Sequence, residues 1–186
     1  MSILWSFSPF IVFALLSRQV PVTVALFVAA AVAVAMIVRD HFRHAGSIKI
    51  LEVGTAILFA GLGFYVLGMG GDWSIVEVRL AVDGGLFAIV LISILIGQPF
   101  TIQYARERVP PEVAALPQFK TINYLLSGVW ALAFLVMTLA DFVMARVPSV
   151  PLWIGIAVTV AAMAGAIWFT NWYPQYRRRQ ASSVAL

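Results

Sequence analysis

Residues 97–124 are GQPFTIQYARERVPPEVAALPQFKTINY, a polar and proline-rich segment in an otherwise apolar chain. The segment holds five of the chain's twenty charged residues, whereas 62% of the 186 residues are hydrophobic. Apolar stretches of about twenty residues, the length of a helix that crosses a membrane, lie on both sides of it. The segment is therefore interpreted as a structured loop that joins two membrane-spanning helices.

The composition of the whole chain points to the same class of protein. Only 11% of the residues are charged, against about a quarter in a soluble domain, and the mean hydropathy is +0.98. A soluble core cannot bury so much apolar surface, and lipid offers the backbone no hydrogen-bond partner, so helices are required. We expect an all-α, polytopic transmembrane helical bundle. Its uncharged runs are 19–38, 53–71, 84–105, 121–140 and 147–176.

The pattern predicts five long helices and one shorter apolar segment. The long helices are predicted at 21–38, 50–69, 80–97, 121–143 and 151–172. The first segment, 3–16, is short for a span and contains Pro9, so it is either a short tilted helix or a re-entrant segment. The bundle has six spans if this segment crosses the membrane and five if it is re-entrant. We expect residues 1–176 to form a single domain with the loop 98–120, followed by a short basic tail at 177–186.

Basic residues favour one orientation of the helices. The loops on one side carry nine of the twelve Lys and Arg residues, and those on the other side carry three. Because basic residues are enriched in cytoplasmic loops, the loop 98–120 and the C-terminus are predicted to be cytoplasmic. The same asymmetry accounts for the net charge of +4, so nucleic acid is not expected as a partner. The N-terminal sequence lacks the features of a signal peptide and is expected to be retained.

Residues typical of catalysis or of metal and cofactor binding are few. The sequence has no cysteine, which excludes thiolate chemistry. It also has no Walker A, HExxH, dinucleotide-binding or GxSxG motif. His41 and His44 lie with Asp40 in a polar loop, and metal binding there is the minor alternative. We expect no enzyme activity, no metal and no cofactor.

Small residues that recur on one helix face predict where the helices pack. Three such stripes are Gly54, Gly61 and Gly68 on one helix, Ala25, Ala29 and Ala33 on a second, and Ala157, Ala161 and Gly165 on a third. The stripes are typical of a compact bundle. The alternative is that the glycines leave room for a substrate or for a sliding helix.

Charged side chains near the predicted spans are the main candidates for function, because burying a charge in a membrane is costly. Arg79 and Asp83 are four residues apart on one helix, so we expect them to form an ion pair. Lys49 and Glu52 are three residues apart in the same way, and Asp141 lies near the end of another helix. All of them are predicted near helix ends. They are either interfacial ion pairs or, for Glu52, Arg79, Asp83 and Asp141, a gate or an ion path.

The loop 98–120 has a predicted structure of its own. Pro99 is expected to end the preceding helix, and a short interfacial helix follows it. The candidate functional residues of the loop are Gln103, Tyr104, Arg106 and Glu107. The loop is either anchored by its arginines at the lipid headgroups, or it is a cytoplasmic cap that closes the bundle or docks a partner. In the second case Arg106 and Glu107 are expected in fixed salt bridges.

Several segments give the sequence a resemblance to a known family. They are FSPFIVFALLS at 7–17, the pattern of Lys49, Leu51 and Glu52, PFTIQYARE at 99–107, and then Asn123 and Trp130. Over residues 7–140 the chain resembles bacterial multi-pass membrane proteins of the intracellular septation protein A group. The resemblance implies a location in the bacterial inner membrane and an association with envelope or septum maintenance. It implies no catalytic residues.

Two functions are compatible with these features. The first is a structural or interaction protein of the inner membrane, whose partners are the lipid bilayer and either envelope proteins or further copies of the chain. It accounts for the missing catalytic motif and for the elaborate loop. The alternative is a small transporter or channel for an ion or a small solute, which accounts for the charged helix ends and the glycine stripe.

Overall fold

The computed structural model describes residues 3–43, 49–69, 73–147 and 149–184. A 3-10 helix at Ile3–Phe7 leads into the α-helices. These are α1 (Ser8–Leu16), α2 (Val22–Arg43), α3 (Ile50–Met69), α4 (Ile75–Leu95), α5 (Phe100–Arg106), α6 (Pro111–Ala114), α7 (Pro117–Arg146) and α8 (Leu152–Val184). The described residues contain no β-strand, which confirms the all-α class. Five helices, α2, α3, α4, α7 and α8, are long and apolar enough to cross a membrane.

The bounds of α4 differ from the predicted ones at both ends. The helix starts at Ile75, five residues before the predicted start, and Ser74 caps it: the Ser74 hydroxyl accepts from the Glu77 N–H at 3.2 Å, and the Glu77 carboxylate accepts from the Ser74 N–H at 2.8 Å. The helix ends two residues before Gly97, whose φ of 76° reverses the chain. The prediction that Pro99 ends this helix was wrong, because Pro99 instead caps α5.

The last two helices extend past the predicted spans. α7 starts at Pro117, where a proline suits the first turn, and has 30 residues. At 1.5 Å per residue that is about 45 Å, longer than the roughly 30 Å hydrocarbon core. α8 has 33 residues and continues through Pro174 into the predicted basic tail. The start of α7 and the end of α8 lie at the same end of the bundle as residues 98–120, which we name the loop end.

The N-terminal segment is packed inside the bundle. Phe7 is 4% exposed and stacks on Trp130, with ring centroids 4.9 Å apart. The Ser6 hydroxyl donates to Glu52 Oε1 at the loop end, at 3.3 Å. α2 then runs back and finishes at the loop end, so its first residue lies at the opposite end. The N-terminal segment therefore leads from one end of the bundle towards the other, which agrees with a tilted crossing better than with a re-entrant turn.

The core consists of two clusters that meet at the N-terminal segment. One surrounds Trp130 and Phe134 of α7, and includes side chains of α3, α4 and α5. The other surrounds Leu26 and Phe59, where α2 packs along α3. Phe10 of α1 contacts both clusters. This central position of α1 holds the α2–α3 pair against the α4–α7 pair.

Only part of the predicted small-residue packing occurs on α2 and α3. All three alanines of the α2 stripe are 0 or 1% exposed, as predicted. A Cβ atom at Gly54 would lie 2.8 Å from Ile89, so α4 approaches α3 closely there. Among the described residues, no atom outside the backbone of α3 itself lies within 4 Å of a Cβ at Gly61 or Gly68. The glycine stripe on α3 therefore packs closely against a neighbouring helix at Gly54 and is open at Gly61 and Gly68.

The predicted packing face of α8 was wrong. Ala157, Ala161 and Gly165 are exposed, whereas Gly155 and Ala166 are buried against the bundle. A Cβ atom at Gly155 would collide with the end of the Met144 side chain of α7, so α8 approaches α7 closely at this position. Since both faces of α8 carry small residues, their spacing alone did not identify the packed face.

Candidate functional site

Buried charged side chains form two clusters at different levels of the bundle. The Lys49 cluster consists of Asp40, Lys49, Glu52 and Glu107 and lies at the loop end. The Arg79 cluster consists of Arg79, Asp83 and Asp141 and lies towards the opposite end, between α4 and α7. The two clusters together contain all four residues predicted as a gate or ion path.

Lys49 is the centre of its cluster. Its ammonium Nζ lies 3.0 Å from Glu107 Oε1 and 3.7 Å from Glu52 Oε1, and it forms an ion pair with Asp40. Asp40 belongs to α2, Glu52 to α3, and Glu107 follows α5. Lys49 and Asp40 are fully buried, and Arg39 approaches Asp40 at 3.4 Å from the partly exposed side. One ammonium group therefore holds three parts of the fold together.

The protonation of this cluster follows from its contacts. Burial on its own lowers the pKa of Lys49, but its hydrogen bonds to Asp40 and Glu107 outweigh burial and raise the pKa above the ordinary value. Tyr104 lies beside the cluster, with its ring centroid 5.1 Å from the Lys49 ammonium. Burial, and then the charge of Glu52, raise the pKa of Tyr104 well above its usual range. Lys49 thus stays charged and Tyr104 stays a neutral phenol.

The structure separates the four candidate residues of the loop. Gln103, Tyr104 and Glu107 face the bundle: the Gln103 side chain accepts from the Ile50 N–H at 2.8 Å, Tyr104 is 3% exposed, and Glu107 contacts Lys49. Arg106 is exposed and has no ion pair among the described residues. The predicted salt bridge of Arg106 was wrong, because positions 103, 104 and 107 share one face of a helical turn that excludes position 106.

The Arg79 cluster joins three helices. Arg79 Nη2 lies 3.0 Å from Asp141 Oδ1 of α7 and donates to Thr159 Oγ1 of α8 at 3.4 Å. The carboxyl group of Asp83 lies close enough to that of Asp141 for the two charges to interact. No ion pair joins Arg79 directly to Asp83 in the part of the chain that the structure describes. The predicted Arg79–Asp83 pair was therefore wrong, since Asp141 from α7 takes the place beside the guanidinium.

The Arg79 cluster lies deeper in the bundle than predicted. With α4 starting at Ile75, Asp83 lies eight residues along it, about 12 Å at 1.5 Å per residue, on a helix about 31 Å long. Asp141 lies five residues before the end of α7, about 8 Å from it. The prediction that all these charges lie at helix ends was therefore wrong for Asp83. The Ser74–Glu77 spacing is a capping-box motif, and it would have indicated the earlier start.

The carboxyl groups of the Arg79 cluster are shielded from water and share one cation. Asp83 is 8% exposed and Asp141 is 1% exposed, whereas Arg79 retains 20% exposure of its side chain. Neither Asp141 oxygen has a well-aligned hydrogen-bond donor among the described residues. Two carboxyl groups therefore face one guanidinium group, which is itself the part of the cluster closest to the surface.

The sequence also offers Asp40, His41 and His44 as metal ligands. His44 lies outside the described residues, so the His41, His44 and Asp40 alternative has no geometry to compare. Among the residues that the structure describes, no group of three or more His, Cys, Asp or Glu side chains is arranged to hold a metal ion. Asp40 instead binds the ammonium group of Lys49.

Comparisons of the chain with protein-family models, with characterised proteins and with solved structures gave no match. The resemblance to the intracellular septation protein A group therefore stays a prediction from the sequence.

Proposed function

We propose that the protein is a small proton-coupled membrane transporter in which the carboxyl pair of Asp83 and Asp141 binds and releases the proton. The single observation that carries this proposal is the pair itself. Two buried carboxyl groups, those of Asp83 and Asp141, lie close together between membrane-length helices, and the one guanidinium group beside them forms its ion pair with Asp141. Ionisable residues at such depth are costly to bury, and ion and proton pathways are among the functions that they mark.

The charge count of the cluster supports a proton as the bound species. With both carboxyl groups ionised, Arg79 leaves one negative charge uncompensated in a medium of low dielectric constant. One proton shared by Asp83 and Asp141 makes the cluster neutral. A proton also supplies the hydrogen-bond donor that the Asp141 oxygens lack. The partly exposed Arg79 lies between this pair and the surface, so its movement would open a route for the proton.

The orientation of the transporter follows from the basic residues. The loop end carries Arg106, Arg108 and Lys120 and faces the cytoplasm of a bacterial cell, with the C-terminus on the same side. The Arg79 cluster then lies in the outer half of the inner membrane. The Lys49 cluster closes the cytoplasmic half, because its ion pairs tie α2, α3 and α5 together.

Proton flux through reconstituted protein tests the proposal. Purified protein is placed in liposomes that contain a pH-sensitive dye, and a pH gradient or a membrane potential is imposed. We expect faster dye response than in empty liposomes, and we expect Asp83→Asn and Asp141→Asn to return it to the empty level. Glu112→Gln, which removes an exposed carboxylate, is the matched control and keeps the flux. Flux equal to empty liposomes under both driving forces, or unchanged flux in both Asn variants, refutes proton coupling.

A second candidate is an interaction protein of the envelope, linked to septum maintenance, that acts through α8. The exposed stripe of Ala157, Ala161 and Gly165 on this helix favours it. Only 11% of the apolar window of α8 is buried, against 33 to 39% in the other four spans. Small residues that face lipid allow another helix to approach closely, from an envelope protein or a second copy of the chain.

Cysteine cross-linking tests this candidate for a second copy, because the native chain has no cysteine. Oxidation of Ala161→Cys in membranes should give a disulfide-linked dimer if two α8 stripes meet, since a disulfide requires Cα atoms within about 7 Å. Leu132→Cys, which is 60% exposed on α7, is the control and should stay monomeric. Equal cross-linking at the two positions contradicts a specific α8 interface.

A further inference from the structure

A cavity at the loop end lies outside both charge clusters. It has a volume of about 440 Å³ and lies between α7, α8 and the segment from α5 to α6. That volume is within the range of sites that hold small molecules, about 300 to 1,000 Å³. One wall is apolar and includes Val113, Leu116, Phe119, Ile122 and Leu126. An aliphatic chain fits such a wall.

The charged side chains that line the cavity are basic. Arg108 and Arg177 contribute to its lining, and the described residues that line it include no Asp or Glu. Arg177 is exposed on the last part of α8, whereas Arg108 belongs to the loop. Two arginine side chains on separate elements of one lining favour an anionic group such as a phosphate.

Two residues with an unused or weakly used hydrogen-bond acceptor are part of the cavity lining. Asn123 is 2% exposed, and its amide nitrogen donates to the Phe119 carbonyl at 2.8 Å. This contact fixes the amide, and its Oδ1 atom then has no donor among the described residues. Pro174 has no N–H for the Thr170 carbonyl four residues earlier, and both residues line the cavity. A ligand that carries hydroxyl groups would satisfy these acceptors.

The aromatic side chains of α8 indicate the level of the cavity. Trp172 stacks on Tyr176, with ring centroids 5.1 Å apart, and Trp168 stacks on Trp172 at 5.3 Å. Tryptophan and tyrosine concentrate where the lipid headgroups begin. These rings are on the same stretch of α8 as the cavity residues Thr170 and Arg177. The cavity thus lies at the height of a headgroup and the first part of an acyl chain.

We propose that this cavity is a binding site for an anionic phospholipid with a hydroxyl-bearing headgroup, of the chemistry of phosphatidylglycerol. Arg108 and Arg177 bind the phosphate, the hydroxyl groups donate to the Asn123 side chain and the Thr170 carbonyl, and an acyl chain follows the apolar wall. A zwitterionic lipid meets the same arginines with an additional positive charge and binds more weakly. The site does not depend on proton transport by the Arg79 cluster.

Binding of a phosphatidylglycerol with a fluorescent acyl chain to the purified protein in a neutral detergent tests this proposal. Unlabelled phosphatidylglycerol should displace the probe, whereas phosphatidylcholine and free glycerol phosphate should not at the same concentrations. Arg177→Gln should weaken binding about fivefold, the effect of removing about 1 kcal/mol per basic residue at a lipid surface. Val113→Trp, which fills the cavity from its partly exposed rim, should abolish binding.

The matched control is Arg179→Gln, which removes an exposed arginine of α8 that does not line the cavity. It should bind the probe as the wild type does, and the melting temperatures of all three variants should agree. Equal displacement by phosphatidylcholine overturns the requirement for an anion, and displacement by glycerol phosphate overturns the lipid in favour of a soluble phosphate. Equal affinity of Arg177→Gln and Arg179→Gln, or retained binding by Val113→Trp, overturns the site.

Discussion

The two charge clusters both place carboxyl groups around one cationic side chain, but they differ in their contacts and in their depth. At the loop end, the ammonium group of Lys49 contacts three carboxylates, and the partly exposed Arg39 and Glu107 bring the cluster to the surface. Towards the opposite end, Arg79 contacts one carboxyl group directly, and the second, Asp83, lies about 12 Å inside α4. The Lys49 cluster is a network of ion pairs near the end of the bundle. The other holds an uncompensated carboxyl pair at depth.

The difference predicts that the Lys49 cluster matters for assembly, whereas the Arg79 cluster fits the proton binding that we propose. Loss of Lys49 would leave three carboxylates facing one another, so this residue stabilises the packing of α2, α3 and α5. Loss of one carboxyl group from the Arg79 cluster would instead leave one carboxylate and one guanidinium, a balanced pair. We therefore expect substitutions in the first cluster to lower stability, and neutral substitutions in the second to change proton flux while the fold persists.

The largest effect is expected for Lys49→Met. It removes the cation from a fully buried ion pair and should lower the free energy of unfolding by about 3–5 kcal/mol. Thermal unfolding in detergent and the yield of monodisperse protein measure the loss. Lys120→Gln, at an exposed position, is the control and should unfold as the wild type does. A stability of Lys49→Met equal to that of Lys120→Gln would contradict the structural role of this cluster.

Charge reversal in the Arg79 cluster should identify the true partner of the guanidinium. Arg79→Asp places a third carboxyl group in the cluster and should strongly reduce the yield of folded protein. Adding Asp141→Arg should restore more of that yield than adding Asp83→Arg, because the 3.0 Å ion pair is with Asp141. Size-exclusion profiles of the three variants give the comparison. Better rescue by Asp83→Arg would show that Arg79 and Asp83 pair directly after all.

A smaller effect is expected where the loop meets the bundle. Glu107→Gln removes one carboxylate from Lys49 and should cost about 1–3 kcal/mol, because it weakens a charged hydrogen bond at a mostly buried position. The neighbouring Arg106→Gln changes an exposed side chain and should stay within about 0.5 kcal/mol of the wild type. The protease sensitivity of the loop and the melting temperature of each variant measure both effects. A larger effect of Arg106→Gln than of Glu107→Gln would mean that Arg106 holds the loop against the bundle.

The smallest effect is the response of the Lys49 cluster to pH. The pKa of Lys49 is raised in the folded protein, so its contribution is fully present below the ordinary lysine pKa and is lost only as the pH rises through the higher folded value. The stability difference between wild type and Lys49→Met should therefore stay constant from about pH 7 to about pH 9. Melting temperatures across this interval check it. A difference that disappears below pH 9 would mean that Lys49 is not held as a charged ammonium.

Local sequence signals predicted the parts of the site that lie within one helical turn. The i, i+3 spacing of Lys49 and Glu52 predicted their ion pair, and the observed separation is 3.7 Å. The bounds of α3 were predicted correctly at both ends. The same rule failed for Arg79 and Asp83, although their spacing is equally favourable. A residue from another helix competed for the guanidinium group, and spacing along one helix contains no information about that competitor.

The sequence by itself determined that the described chain is a bundle of apolar helices, because lipid leaves the backbone no other way to pair its hydrogen-bonding groups. Only the tertiary structure decided which charges meet. Lys49 and Glu107 are 58 positions apart and Arg79 and Asp141 are 62 positions apart, and both contacts depend on which helix faces pack together. The packed and open faces of α3 and α8 carry the same small residues, so composition could not distinguish them. Their fit to specific neighbours, such as Gly54 against Ile89, made the choice.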